Sequence, residues 1–280
     1  MKEEKRKDNQ EVEISEEALK KAEKFIEEEE GLSRHLKGKM DILITVVAVA
    51  MSIIHLYAAI GVIMTQFLRA IHVMFVLLLT FLIFPPSKRF KDRILWYDFI
   101  LALLGIVAIA YMLIDFEEFI YRVPTPSFWD RYLGIILILL VLEATRRTTG
   151  WIMPTVVAAF LVYAFIGPEL PKPWTHRGYD IDRIVGHMYM TLDGIFGVPI
   201  DVSSTYIILF TIYGAFLEFS GAGKFFIDFS FAAMGGKPTG AGRTVTLASF
   251  LLGGPSGSGV ATTVTLGSVA WPMLAKAGYS

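Results

Sequence analysis

From Met40 onward the chain consists largely of apolar runs long enough to cross a lipid bilayer, and that limits its fold more than any other feature. In hydrocarbon each backbone N–H and C=O must find a partner inside the protein, so such a run is expected to be a helix. Six runs qualify against the roughly 20 residues that a crossing needs. They are Ile42 to Met64, Phe67 to Phe84, Ile94 to Ile114, Tyr132 to Leu142 with its flanks, Trp151 to Ile166 and Ile200 to Phe219. Pro85-Pro86, the acidic Asp115, Glu117 and Glu118, and Gly167-Pro168 end the second, third and fifth. The fold class predicted is all-α, a polytopic helical membrane protein.

Composition agrees. The chain is 54% hydrophobic with a mean hydropathy of +0.54, more than a soluble core requires. Its formal charge of -1 supplies no field for nucleic acid, so the lipid bilayer is the expected partner of its surface. The absence of cysteine excludes disulfides, thiolate metal sites and cysteine nucleophiles. The first apolar run begins behind a charged tail, so it reads as an anchor and not as a cleaved signal.

Residues 1–39 are dense in Glu and Lys, with a helical stripe of Leu19, Ala22, Phe25 and Ile26, and read as a solvated cytoplasmic extension. Basic residues set the orientation. Lys37 and Lys39 precede the first span, Lys88, Arg89, Lys91 and Arg93 follow the second, and Arg146 and Arg147 close the fourth. Those sides, the N-terminus included, are expected in the cytoplasm, and six crossings return the chain there at Lys224, Lys237 and Arg243. Between the fifth and sixth spans, Met188, Tyr189, Leu192, Ile195 and Phe196 suit an amphipathic helix lying along the interface.

Function is expected in the uncharged stretch from Thr244 to Leu274. As one helix its roughly 31 residues would extend about 46 Å, too long for one crossing. Gly253-Gly254-Pro255-Ser256-Gly257-Ser258-Gly259 breaks it, leaving a first arm to Leu252 of about 14 Å, near half the hydrocarbon thickness. Arg243 and Lys276 flank the stretch with the same sign, so the simplest geometry is a re-entrant hairpin with its tip in the middle of the membrane. Open backbone there must line a wet cavity, and such a cavity is a binding site. Carbonyls at the end of the first arm, that of Gly254 among them, and the hydroxyls of Ser256 and Ser258 offer hard oxygen ligands to a small cation. Amide hydrogens and the positive dipole end of the second arm, near Val260 to Thr263, can meet a carboxylate. The candidate substrate-binding residues are Ser256, Gly257, Ser258, Gly259, Thr262 and Thr263. A glycine-kinked packing helix is the plainer alternative. A phosphate loop is excluded because no Lys-Ser or Lys-Thr follows the glycines.

Other polar residues have modest expectations. Glu143, Arg146 and Arg147 form a local ion pair at a helix end. His55 lines a polar path or packs through a hydrogen bond. Asp98 and Glu218 snorkel to the interface, and Asp193 and Asp201 are solvated at the outer surface.

Ser256-Gly257-Ser258 with Val260-Ala261, then Gly267, Pro272 and Ala277-Gly278-Tyr279, resembles the first hairpin of the large membrane subunit of TRAP transporters. Leu142-Glu143-Ala144-Thr145-Arg146-Arg147-Thr148-Thr149-Gly150-Trp151 and Gly194-Ile195-Phe196-Gly197-Val198-Pro199 resemble the fused permeases, especially those paired with TAXI-type binding proteins; Gly214-Ala215-Phe216-Leu217-Glu218 and Ser220-Gly221 fit too. The resemblance covers most of the chain from Met40. It implies a four-helix small-subunit-like region over 40–147 and, over 148–280, the start of an elevator-type transport domain that includes the hairpin, 244–274. It also implies sodium-driven uptake of an organic acid across the bacterial or archaeal cytoplasmic membrane, from a soluble extracytoplasmic binding protein. No cofactor is implied beyond sodium as the coupling ion, which Ser256, Gly257 and Ser258 would help to hold, and further helices with a second hairpin are expected beyond Ser280. Where many relatives have Ala after the second serine and Asn soon after Val-Ala, this chain has Gly259 and Thr262. Two other classes compete. A membrane-embedded enzyme needs a nucleophile or metal cluster, and no His-Glu-x-x-His or Asp-rich motif is present; a non-transporting assembly subunit is the second.

Overall fold

The computed structural model describes residues 32–34, 36–91, 93–234 and 239–253, followed by Thr263, Leu266, Gly267, Ala270, Trp271 and Leu274. Of the described residues 78% are helical, and no strand occurs among them. It divides into two compact units, one over 31–209 and one that begins at Phe210. The charged N-terminal stripe lies outside the described residues.

In the 31–209 unit, α1 (Lys39–Ile60) follows Gly38, whose φ of 73° suits glycine, and ends where the Gly61 N–H bonds the Tyr57 carbonyl. The next helix, α2 (Thr65–Ile83), stops at Phe84, immediately before Pro85-Pro86, as proline requires. Then come α3 (Trp96–Ile114) and the short α4 (Phe116–Tyr121). A capping box, in which the Ser127 hydroxyl accepts from the Asp130 N–H and Asp130 accepts from the Ser127 N–H, starts α5 (Phe128–Thr149). Gly150, at φ 81°, ends it. α6 (Ile152–Ile166), α7 (Ile181–Tyr189) and α8 follow. The last consists of Val198–Val202, a π-helical turn over Ser203–Ile207, and Ile208–Phe219.

Among the described residues, five helices are long and apolar enough to cross a membrane: α1, α2, α3, α6 with its following turn, and α8. α5, at 22 residues, spans about 33 Å, with its charges toward both ends and the uncharged stretch 132–142 between them. The six expected runs are all helices.

Membrane helices gain nothing by hiding apolar surface from lipid, so they associate through close packing and polar contacts. Half of the apolar window of α2 is buried, which makes it central, and Ala70, Val73, Leu77 and Phe81 form its inward stripe at helical spacing. Ala102, Gly105 and Ala108 face inward on α3, and Leu133, Leu137, Leu140 and Ala144 on α5. A Cβ at Gly105 would stand 3.3 Å from Leu77 Cδ1, so glycine there permits the α2–α3 approach.

The stretch between the fifth and sixth spans differs from expectation. Its helix, α7, turns its apolar face toward protein and not toward lipid. Val185, Tyr189 and Phe196 are buried in the same core, and the Tyr189 hydroxyl donates to the Ala108 carbonyl at 2.6 Å. Burial raises the Tyr189 phenol well above its ordinary pKa. Phe119, on the unpredicted α4, meets the Tyr189 ring edge-on at 5.1 Å.

In the second unit, α9 (Ala222–Met234) and α10 (Gly240–Gly253) pair as an antiparallel hairpin, with the Thr244 hydroxyl donating to the Ser230 carbonyl at 3.4 Å. The sequence reading had no helix at α9, because Gly221, Gly223 and Gly235-Gly236 punctuate it closely. At 13 residues, about 20 Å, α9 is too short to cross.

A Cβ at Gly134 would lie 2.5 Å from Val185 Cγ1 and 3.0 Å from Tyr189 Cδ1, so this glycine admits α7 onto α5. Gly134→Val is expected to cost about 1–3 kcal/mol through overpacking and to lower the thermal-unfolding midpoint of the detergent-solubilised protein by several degrees. An unchanged midpoint would show that α7 does not dock there.

Candidate functional site

The expected site falls on a stretch whose two ends are described. α10 is described as far as Gly253, and Thr263, Leu266, Gly267, Ala270, Trp271 and Leu274 are helical. Leu266 and Ala270, one turn apart, are buried, whereas Thr263, Gly267 and Trp271 are exposed, so this second helix has an inward and an outward face. Gly254, Ser256, Gly257, Ser258, Gly259 and Thr262 lie outside the described residues. The first arm begins at Gly240, four residues before the uncharged stretch, and takes Arg243 into its first turn. An open groove of ≈ 620 Å³ runs beside this arm, lined by Met234, Thr239, Arg243, Thr246 and Phe250. The groove runs along most of the arm, from Thr239 at its base to Phe250, three residues before Gly253.

Polar joints hold the 31–209 unit at both ends. At the end where α1 begins, the Asp98 carboxylate receives Arg34 Nη2 at 2.6 Å and Arg147 Nη1 at 2.7 Å. All three side chains are fully shielded. Asp98 also accepts the Leu95 N–H at 3.0 Å and so caps α3. Arg34 donates to the Phe81 and Leu82 carbonyls, and its backbone N–H donates to Ile83. Arg147 reaches the Phe84 carbonyl, and Arg146 that of Pro86. These are carbonyls that the end of α2 leaves without helical partners. Glu143 pairs with both Arg146 and Arg147, as its spacing predicted. Asp98, expected to snorkel, is instead buried and doubly paired, because two arginines distant in sequence converge on it.

The opposite end is built the same way. Asp130, buried at the start of α5, accepts from Tyr111 at 2.9 Å and from Arg122 Nε at 2.8 Å. The hydrogen bond to Asp130 raises the Arg122 guanidinium above its ordinary pKa. Arg131 pairs with Asp182 of α7. Asp201, expected to be merely solvated, binds Arg69 of α2, which also donates to the Phe196 carbonyl at 2.8 Å. Asp193 is exposed, as expected. The side chain of Glu218 lies outside the described residues. His55 packs through hydrogen bonds to the Met51 carbonyl and to His72, and His72 in turn meets Ser203. The sequence reading passed over His72, although an imidazole inside an apolar run is itself a signal. Arg34 and Arg69 gave no local sign of their partners.

A bundle whose helices include five long and apolar enough to cross a membrane, joined by buried ion pairs near its two ends, defines a multi-pass helical membrane protein. The model of the tripartite ATP-independent periplasmic transporter family, DctM component, matches residues 136–280, just over half of the chain. The chain belongs to that family and is a TRAP transporter permease component. No curated protein and no solved structure matches it.

The Asp98 joint has a measurable consequence. Asp98→Asn leaves Arg34 buried without its counter-charge and Arg147 with Glu143 alone, a loss of about 3–5 kcal/mol for a buried pair. The folded yield in the membrane and the unfolding midpoint should both fall sharply, whereas Asp193→Asn should change neither. Equal behaviour of the two variants would remove Asp98 from its organising role.

Proposed function

We propose that this permease takes up an organic acid with the sodium gradient, receiving it from an extracytoplasmic solute-binding protein. The observation that carries this reading is the family match over residues 136–280, and the Gly/Ser-rich sequence from Gly253 to Gly259, set within an uncharged stretch, supports it. A helix broken there would leave carbonyls at the end of one arm and amide hydrogens at the start of the next. In the reading proposed, the carbonyl of Gly254 and the hydroxyls of Ser256 and Ser258 hold sodium. Gly257 and Gly259 let the substrate carboxylate approach the backbone, and Thr262 and Thr263 bond it. A cation bound at the tip lowers the electrostatic cost of bringing the carboxylate beside it, which ties the two ligands to one step.

The same reading places the chain in the cytoplasmic membrane of a bacterium or archaeon with its N-terminus inside. Arg34, Arg146 and Arg147 gather with the loop that carries Arg89, Lys91 and Arg93 at the end where α1 begins, and short loops rich in Lys and Arg stay in the cytoplasm. The layout proposed is a fused one: a small-subunit-like region over 40–147, then the start of a TAXI-type transport domain that moves as an elevator.

Uptake of a panel of organic acids by the full-length permease in proteoliposomes, with its binding protein outside, tests this. Transport should require an inward sodium gradient, and Ser258→Ala should reduce it about tenfold, the scale of one lost charge-assisted ligand. Uptake that is indifferent to sodium and to Ser258→Ala would reject the assigned site.

A further inference from the structure

Among the buried chargeable side chains described, Arg34, Asp98, Asp130 and Arg147 are ion-paired, whereas His55 and His72 are not. The two histidines are 1% and 2% exposed, and they lie on α1 and α2, within the bundle. An ionisable group at such a position carries a cost that makes it a candidate for function.

Their protons can be assigned from the partners. The Met51 carbonyl, 2.7 Å from His55 Nδ1, can only accept, so that nitrogen carries a proton. A neutral His55 then has a bare Nε2, and His72 Nδ1, 3.0 Å away, must donate to it. His72 Nε2 is therefore bare as well and accepts from the Ser203 hydroxyl at 2.9 Å. The chain runs one way, from Ser203 through His72 and His55 to Met51, with both rings in the Nδ1–H tautomer.

Such a chain admits a second proton at one point. His55 has both nitrogens committed, one to a carbonyl and one to a ring. His72 Nε2 faces a hydroxyl, which can reverse: its oxygen accepts from the imidazolium, and its hydrogen turns to a backbone carbonyl one turn back, that of Pro199. Protonating both rings would set N–H against N–H across 3.0 Å, so the pair holds one added proton and not two.

Ser203 is also the first residue of the π turn of α8. The hydroxyls of Ser204 and Thr205 already bond the Asp201 carbonyl at 3.1 and 2.7 Å, so backbone and side chains compete for acceptors there. Single π turns inside α-helices concentrate at functional positions. His72 and Ser203 lie roughly 8–10 Å inside the near ends of their helices, just beyond the Arg69–Asp201 pair. On the three helices that carry the chain, the remaining titratable or charged residues are Arg69 on α2, Asp201, Tyr206, Tyr213 and Glu218 on α8, and Lys39, Asp41 and Tyr57 on α1. Arg69 and Asp201 are bound to each other, and Lys39, Asp41, Tyr57 and Tyr206 are exposed.

We propose that the His55–His72–Ser203 chain is a proton site inside the bundle: it takes one proton from the aqueous side at His72 Nε2, and the reversal of the Ser203 bond makes the π turn of α8 respond to pH. This proposal stands apart from the sodium and substrate assignments.

Solid-state NMR of the ¹⁵N-histidine-labelled full chain in lipid vesicles tests it, with single His→Gln variants assigning the signals. Near pH 8 both rings should show a protonated Nδ1 and a bare Nε2. As the pH is lowered stepwise to about 3, well past the range in which an exposed imidazole titrates, His72 should become doubly protonated while His55 keeps a single proton. In Ser203→Ala the His72 titration should move by at least half a pH unit, because the hydroxyl that serves both protonation states is gone; a smaller movement would overturn the proposal. An Nε2–H tautomer on either ring near pH 8, both rings becoming imidazolium, or no proton uptake by a protein that stays folded would each overturn it too. These signals come from the resting protein, so they are independent of whether it transports with sodium.

Discussion

A single carboxylate, Asp98, neutralises two fully shielded arginines that approach from opposite directions along the chain, and the architecture of the 31–209 unit depends on it. The cause lies in α2. This helix stops at a double proline, and its last carbonyls face an environment in which unbonded backbone is costly. Arg34 and Arg147 supply donors to Phe81, Leu82 and Phe84, but two guanidinium groups cannot be buried together without an opposing charge. Asp98 provides that charge and caps its own helix as well. The segment before α1, the end of α2, the start of α3 and the end of α5 are joined in one place.

The same logic recurs at the far end of the bundle with different residues. Asp130, Asp182 and Asp201 each bind an arginine, and the Asp182 and Asp201 pairs join elements that the sequence separates. Between the two polar ends the helices are held by shape. Ala102, Gly105 and Ala108 lie along the inward side of α3, and Gly134 lets α7 reach α5. This division suits a membrane protein. Charges near the helix ends remain close to the interface, where their cost is smallest, and the hydrocarbon layer is left to close packing.

The histidine chain is the exception, since it sets a polar network at depth against a helix whose winding is already irregular. Ordinary packing at that position would be served by leucine or phenylalanine, and a bonded pair of imidazoles brings a protonation equilibrium with it. The sequence after Gly253 departs from the packing rule in another way, by setting glycines, a proline and two serines within an uncharged stretch. Both features bring polar or irregular elements to places that lipid disfavours.

The sequence by itself determined the number and extent of the apolar helices, because hydrophobic length and proline or glycine punctuation are local properties. Pro85-Pro86 ends α2 where the residues say it must. The Glu143–Arg146–Arg147 cluster was equally legible, since its partners lie three and four residues apart on one helix. Only the tertiary structure decided the rest. Arg34 and Asp98 are 64 residues apart, and His72 and Ser203 are 131 apart. The apolar face of α7 could equally have met lipid until Gly134 offered it a protein surface. Periodicity records that a face is apolar or that a residue is charged, but the partner is chosen by how the helices lie against one another, and no local pattern carries that information.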